Sequence, residues 1–144
     1  MTSTRVGASR PQIHMIEEEA EKLSNLAVNI EHRFPQVSEL LIRETSRAKL
    51  HTAESIPADV VTMGSSVEFV DEGTGTRRTV QLVYPAEADI LAGRVSILTP
   101  VGAGLIGLRE GQSIMWPDRE GHERGRYIER TQIYAKRRQP RSGV

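Results

Sequence analysis

Apolar residues recur at helical spacing in the first third of the chain and at strand spacing through most of the remainder. Ile16, Ala20, Leu23, Ala27 and Ile30 follow one another four, three, four and three positions apart, which lines them up on one face of a helix. Glu17, Glu18 and Glu19 fall in its first turn, where carboxylates complement the positive end of the helix dipole. Arg33-Phe34-Pro35 ends this helix, because the residue before a proline is pushed out of helical backbone. A second helix is predicted from about Gln36 to His51, with Val37, Leu40, Leu41 and Ala48 turned inward. The short connection makes the pair an antiparallel hairpin. Glu44 and Thr45 interrupt the second stripe, so the expectation is a short hairpin based on the rest of the protein, not a long free-standing coiled coil.

Near Ile56 the period shifts. Val60 to Met63 reads as a short edge strand, and Ser66 to Asp71 as a strand with Val67 and Phe69 on one face. Glu72-Gly73-Thr74-Gly75 is a turn signal, and Arg77 to Tyr84 is its hairpin partner. Pro85 stops that strand, and a compact turn ending at Gly93 is predicted to lead into another at Val95 to Leu98. Thr99 then serves as an N-cap and Pro100 as a first helical residue for a short helix over roughly Val101 to Leu108. Gly102, Gly104 and Gly107 weaken that helix by as much as ~1 kcal/mol each, which implies a close backbone approach to a sheet or a partner. Strands at Ser113 to Trp116 and Glu123 to Ala135 complete a small sheet of about five strands. The predicted class is therefore α+β: an N-terminal short antiparallel helical hairpin, then a small, mostly antiparallel β-sheet domain with one short helix. The expected divisions are a flexible leader at 1–10, the hairpin at 11–55, the sheet domain at 56–135 and a basic flexible tail at 136–144.

Composition narrows the chemistry. The chain has 144 residues and no cysteine, which removes disulfides and thiolate catalysis. Nineteen basic and nineteen acidic residues cancel, so net charge gives no support to direct nucleic-acid binding. Lys136, Arg137, Arg138 and Arg141 form a basic tail that is the one place for phosphate contact, although a solvated tail is the simpler reading. There is neither a run of 18 apolar residues nor a signal-peptide pattern, so no membrane association is expected and the cytoplasm is the default location. His14, His32, His51 and His122 show no metal-ligand spacing, and Gly102-Ala103-Gly104 lacks the Lys and Ser/Thr of a phosphate loop. No catalytic residue, cofactor, metal or small-molecule substrate is indicated.

Thr99-Pro100-Val101-Gly102-Ala103-Gly104-Leu105-Ile106-Gly107 resembles the Ser-Pro-(small)-Ala-Leu-(Leu/Ile)-Gly signature in the carboxy-terminal domain of the Gre-type transcript elongation factors. The flanking Tyr84-Pro85-Ala86-Glu87-Ala88-Asp89 and Gly111-Gln112-Ser113-Ile114 fit the same pattern. Within that superfamily, Asp59-Val60-Val61-Thr62-Met63 and Leu82-Val83-Tyr84-Pro85-Ala86 are still more similar to the regulator of nucleoside diphosphate kinase family, and the resemblance spans about Arg10 to Tyr134.

The resemblance implies an FK506-binding-protein-like sheet domain and RNA polymerase as partner. It implies docking at the rim of the secondary channel through the loop that here holds Thr99, Pro100, Val101, Gly102 and Gly104. Gre factors also carry paired acids at the tip of a long coiled coil to hold a catalytic Mg²⁺. The corresponding bend here is Glu31, His32, Arg33, Phe34 and Pro35, with one acid beside a guanidinium, a poor site for a cation that demands several oxygen ligands. Arms of about 16 residues reach only ~24 Å, too short for deep delivery of a tip. The expected function is a transcription regulator that competes with Gre-type factors without cleaving RNA and affects nucleoside diphosphate kinase only indirectly. The alternatives are a Gre-like cleavage factor and a polymerase-independent protein-interaction module such as a direct kinase partner.

Overall fold

The computed structural model describes residues 12–71, 74–117 and 123–132, the side chains of 114–117 and 123–132 excepted. The expected leader, the basic tail and the Asp118-to-His122 part of the final turn lie outside the described residues.

The chain enters on a short strand, β1 (His14–Ile16), that runs straight into α1 (Glu17–Asn29). Ala20, Leu23 and Ala27 are buried on one face of α1, and Ile16 and Ile30 continue that stripe at its two ends. A turn over 30–34 leads into α2 (Pro35–Arg47), where Pro35 takes the first position because its missing N–H has no intrahelical partner there. The two helices pack along their length. Ser38 Oγ donates to the Ala27 carbonyl at 2.8 Å near the turn, and Ser24 Oγ donates to Thr45 Oγ1 at 3.2 Å further from it. The buried Glu44 carboxylate accepts from Arg47 at 2.8 Å. An acid in the apolar stripe is thus tolerated because a guanidinium one turn on satisfies it.

The second helix is shorter than its sequence suggests. It ends at Arg47, Ala48 turns extended, and β2 (Lys49–His51) pairs in parallel with β1, so that His14 faces Lys49 and Ile16 faces His51 along the register. Pairing with the N-terminal strand outweighs the helical preference of Lys49 and Leu50.

The main sheet contains β3 (Ser66–Asp71), β4 (Thr76–Val83), β5 (Arg94–Ser96), β6 (Ser113–Pro117) and β7 (Glu123–Gln132), in the order β5-β4-β3-β7-β6. Val67 and Phe69 alternate inward on β3, as do Val80 and Leu82 on β4. Two expectations are corrected here. A compact turn would make β4 and β5 antiparallel, yet they run parallel, and the chain needs residues 84–93, with 3-10 turns at Pro85–Glu87 and Ile90–Ala92, to come back. Val60 to Met63 is also not a strand of the sheet. It is held by an isolated bridge from Val60 to Arg109 and by Val61, whose N–H donates to Leu108 O at 2.8 Å while its carbonyl accepts from Gly107 N–H at 3.0 Å.

One apolar core draws on all these pieces: Leu23, Ala27 and Leu41 from the helices, Phe69 and Leu82 from the sheet, and Ala103, Leu105 and Ile106 from a third helix, α3 (Pro100–Leu105), and its end. The helices therefore rest on the sheet through the same core that buries α3.

Candidate docking loop and helical tip

The loop leading into α3 is locked by a single hydroxyl. Thr99 Oγ1 donates to Ser96 O at 2.8 Å and accepts from Gly102 N–H at 3.1 Å, capping the helix and tying it to the end of β5. Gly102 is buried against that strand: a Cβ there would come 2.4 Å from Ser96 O and 3.0 Å from Ile97 Cα. The close backbone approach implied by the glycines is an approach to this protein's own sheet. Gly104 is buried as well, and Gly107, at φ +86°, passes the helix end under Ile13 and His14, where a Cβ would lie 3.0 to 3.2 Å from them. Of the loop residues singled out from sequence, Pro100 is exposed, Thr99 and Val101 are half-buried, and Gly102 and Gly104 are inside. Leu105, Ile106 and Leu108 belong to the core.

The tip of the helical pair is built differently. Glu31, His32, Arg33, Phe34 and Pro35 are all exposed. The bend is closed by backbone bonds, Arg33 N–H and Phe34 N–H both donating to Ile30 O at 3.0 and 2.8 Å. The Arg33 guanidinium lies 5.2 Å from the Phe34 ring centre, a cation–π contact.

Comparison with known proteins follows the same division. The family described as transcription elongation factor GreA/GreB, C-terminal, matches residues 56–128, which take in β3 to β5, α3 and the Thr99-Pro100 loop and leave both long helices outside. The regulator of nucleoside diphosphate kinase of Escherichia coli K12 is 38% identical over 108 residues, covering 75% of this chain and 79% of that protein. This chain belongs to the GreA/GreB family of transcription elongation factors. Within the family it is also similar to the GreA of Azorhizobium caulinodans, 35% identical over 118 residues, covering 76% of this chain and 75% of that one. A solved GreA/GreB elongation factor from Nitrosomonas europaea superposes with a TM-score of 0.67 at 35% identity, over 85% of this chain and 99% of that one. The mixed helix-and-sheet architecture is thus a GreA/GreB fold.

Two further clusters in this GreA/GreB protein had no signal in the sequence. A groove of about 380 Å³ runs between α1 and the end of β4, lined among others by Glu19, Lys22, Met63, Tyr84 and Glu87. Burial, then the nearby Glu19 and Glu87 carboxylates, push the Tyr84 phenol up to about 12. Lys22 Nζ sits 5.8 Å from the same ring, and Glu19 accepts from Met63 N–H at 3.2 Å, so the groove is also a seam holding α1 to the sheet. The second cluster joins His14 Nδ1 and His51 Nε2 at 2.9 Å across β1 and β2. Spacing rules for histidine pairs look within one helix or one loop, and these two are 37 positions apart. Beside them Arg109 grips Asp59 through Nε and a second nitrogen at 3.1 to 3.3 Å. Among the described residues no group of three or more metal-ligating side chains comes together.

Proposed function

We propose that this protein regulates transcription by binding RNA polymerase at the rim of the secondary channel, competing there with cleavage-stimulating Gre factors and cutting no RNA itself. The FK506-binding-protein-like sheet domain is the anchor, with Thr99, Pro100 and Val101 as the contact surface and Gly102 and Gly104 as its buried support. The two long helices form an antiparallel hairpin that acts as a short probe: arms of 13 residues reach roughly 20 Å. The protein acts in the cytoplasm, and any influence on nucleoside diphosphate kinase is indirect.

The observation that carries this reading is the combination of an exposed Pro100 with a rigid base. Thr99 fixes the backbone through its own hydroxyl, Gly102 is pressed onto β5, and the apolar side chains that follow are core. A loop held in one conformation before binding loses little entropy on docking. The tip supports the non-cleaving half of the proposal. Glu31 is its only carboxylate, and the guanidinium two residues on is stacked over Phe34, so the bend offers a hard cation one acidic ligand and a competing positive charge.

The test is direct binding to core polymerase in competition with a Gre factor, comparing the wild type with Thr99→Asp and Pro100→Ala. Pro100→Ala leaves the Thr99 cap intact, and Thr99→Asp keeps the N-cap acceptor for Gly102 N–H while giving up the donor to Ser96 O. At least one should bind tenfold or more weakly; undiminished competition by both would remove the docking assignment.

A further inference from the structure

The base of the helical pair is tied to the end of α3 by a small knot of backbone and imidazole bonds. His14 N–H donates to Gly107 O at 3.0 Å, Lys49 N–H donates to Ile13 O at 2.9 Å, and the His14 and His51 rings meet at 2.9 Å with their centres 5.1 Å apart. A side chain at Gly107 would be strained by its left-handed φ and would press on Ile13 Cβ at 3.0 Å and His14 O at 3.1 Å, so the knot is closely built. It lies where the chain enters α1, where it leaves α2, and just past the carboxy end of the helix whose first turn carries Thr99 and Pro100.

We propose that His14 and His51 form a proton-operated latch that holds β1 to β2 at the base of the helical pair and opens when both imidazoles become charged. The chemistry follows from the contact itself. With both rings neutral, one of the facing nitrogens carries a hydrogen and the other a lone pair. A first added proton leaves this arrangement possible and makes it charge-assisted. A second places N–H against N–H with two positive charges at contact, and the bond is lost.

The surroundings oppose that second charge on one side and tolerate it on the other. Burial, then His51, Arg109 and Lys49, hold His14 below its ordinary value of 6.5, and Asp59, which pulls the other way, is already engaged by Arg109. On the far side Glu17, Glu18 and Glu54 line a hollow of about 220 Å³ with His51. The folded protein therefore binds the His14 proton less readily than the unfolded chain. The contribution is complete above 6.5 and is lost as pH falls from 6.5 towards the lowered folded value. This inference is independent of polymerase binding and is tested without it.

The experiment is amide hydrogen exchange on the full chain at pH 7.5 and 5.0, corrected for intrinsic rates and read at the His14 and Lys49 amides against β3 amides as an internal standard. Protection of the two latch amides should fall about tenfold more than that of β3 at the lower pH, and His51→Gln, which keeps a hydrogen-bonding group but cannot charge, should abolish the difference. An equal fall in latch and sheet, or the same fall in His51→Gln, would overturn the latch. Ring-nitrogen titration of the wild type covers the case in which the variant does not fold. Coupled titration with His14 last to protonate supports the proposal, and two independent curves at the ordinary histidine value refute it.

Discussion

The Thr99-Pro100 loop and the Glu31-to-Pro35 tip are both turns at the start of a helix with proline in first position, yet the fold treats them in opposite ways. In the loop, side chains are consumed by the structure: the Thr99 hydroxyl bonds both forward and back, and Gly102 has backbone where a Cβ would be. In the tip, α2 starts from Phe34 with no side-chain cap, and every side chain from Glu31 to Gln36 is exposed. The first is a scaffold that presents one exposed residue, Pro100. The second is a surface closed by backbone bonds, whose side chains serve neither as caps nor as core. In this GreA/GreB chain the fold therefore constrains the residues of the loop and leaves those of the tip exposed.

The contrast makes graded predictions. The largest effect belongs to Gly102→Ala, which drives a methyl into Ser96 O and should cost about 3 kcal/mol, read as a loss of roughly 10 °C in Tm; a change of a degree or two would mean that the α3–β5 contact is looser than described. Next is the seam between α1 and the sheet. The Tyr84 phenol ionises at about 12 when folded and near 10 when unfolded, so its contribution is intact below 10 and disappears as pH rises towards 12. Allowing for partial exposure, alkaline unfolding between those values should be eased by about 1 to 2 kcal/mol in the wild type and flattened in Tyr84→Phe, with far-ultraviolet circular dichroism as the readout. Thr99→Val comes third: loss of both hydroxyl bonds should cost about 1 kcal/mol by denaturant titration, and Thr99→Ser should recover most of it. Smallest of all, Arg33→Ala and Phe34→Ala should each stay within about 0.5 kcal/mol of the wild type, the scale of an exposed cation–π pair. A tip substitution that matched Gly102→Ala would erase the distinction between the regions.

What the sequence reveals follows the same line. The helical stripe from Ile16 to Ile30, the inward alternation of Val67 with Phe69 and of Val80 with Leu82, and the Thr-Pro start of α3 are legible because each is a local demand of backbone or core. The errors arise where a distant segment decides. Lys49 to His51 leave the helix because β1, some 35 residues earlier, offers them backbone partners. The β5 strand lies parallel to β4 because the connector closes on itself through the Asp89–Arg94 bridge, which fixes a return path that no turn motif announces. The His14–His51 contact is invisible for the same reason. Glu44 reads as a break in the stripe until Arg47 is seen beside it. Among the loop residues the sequence cannot separate Pro100 at the surface from Gly102 beneath it, since both are equally explained by a strand-to-helix junction.

The central claim, an anchor without a cleaving tip, is tested most directly on backtracked elongation complexes, measuring release of RNA 3′ fragments with this protein alone and with a Gre factor present. The account predicts no fragment from this protein alone and a dose-dependent fall in the cleavage that the Gre factor stimulates. Fragments released by this protein alone would contradict it.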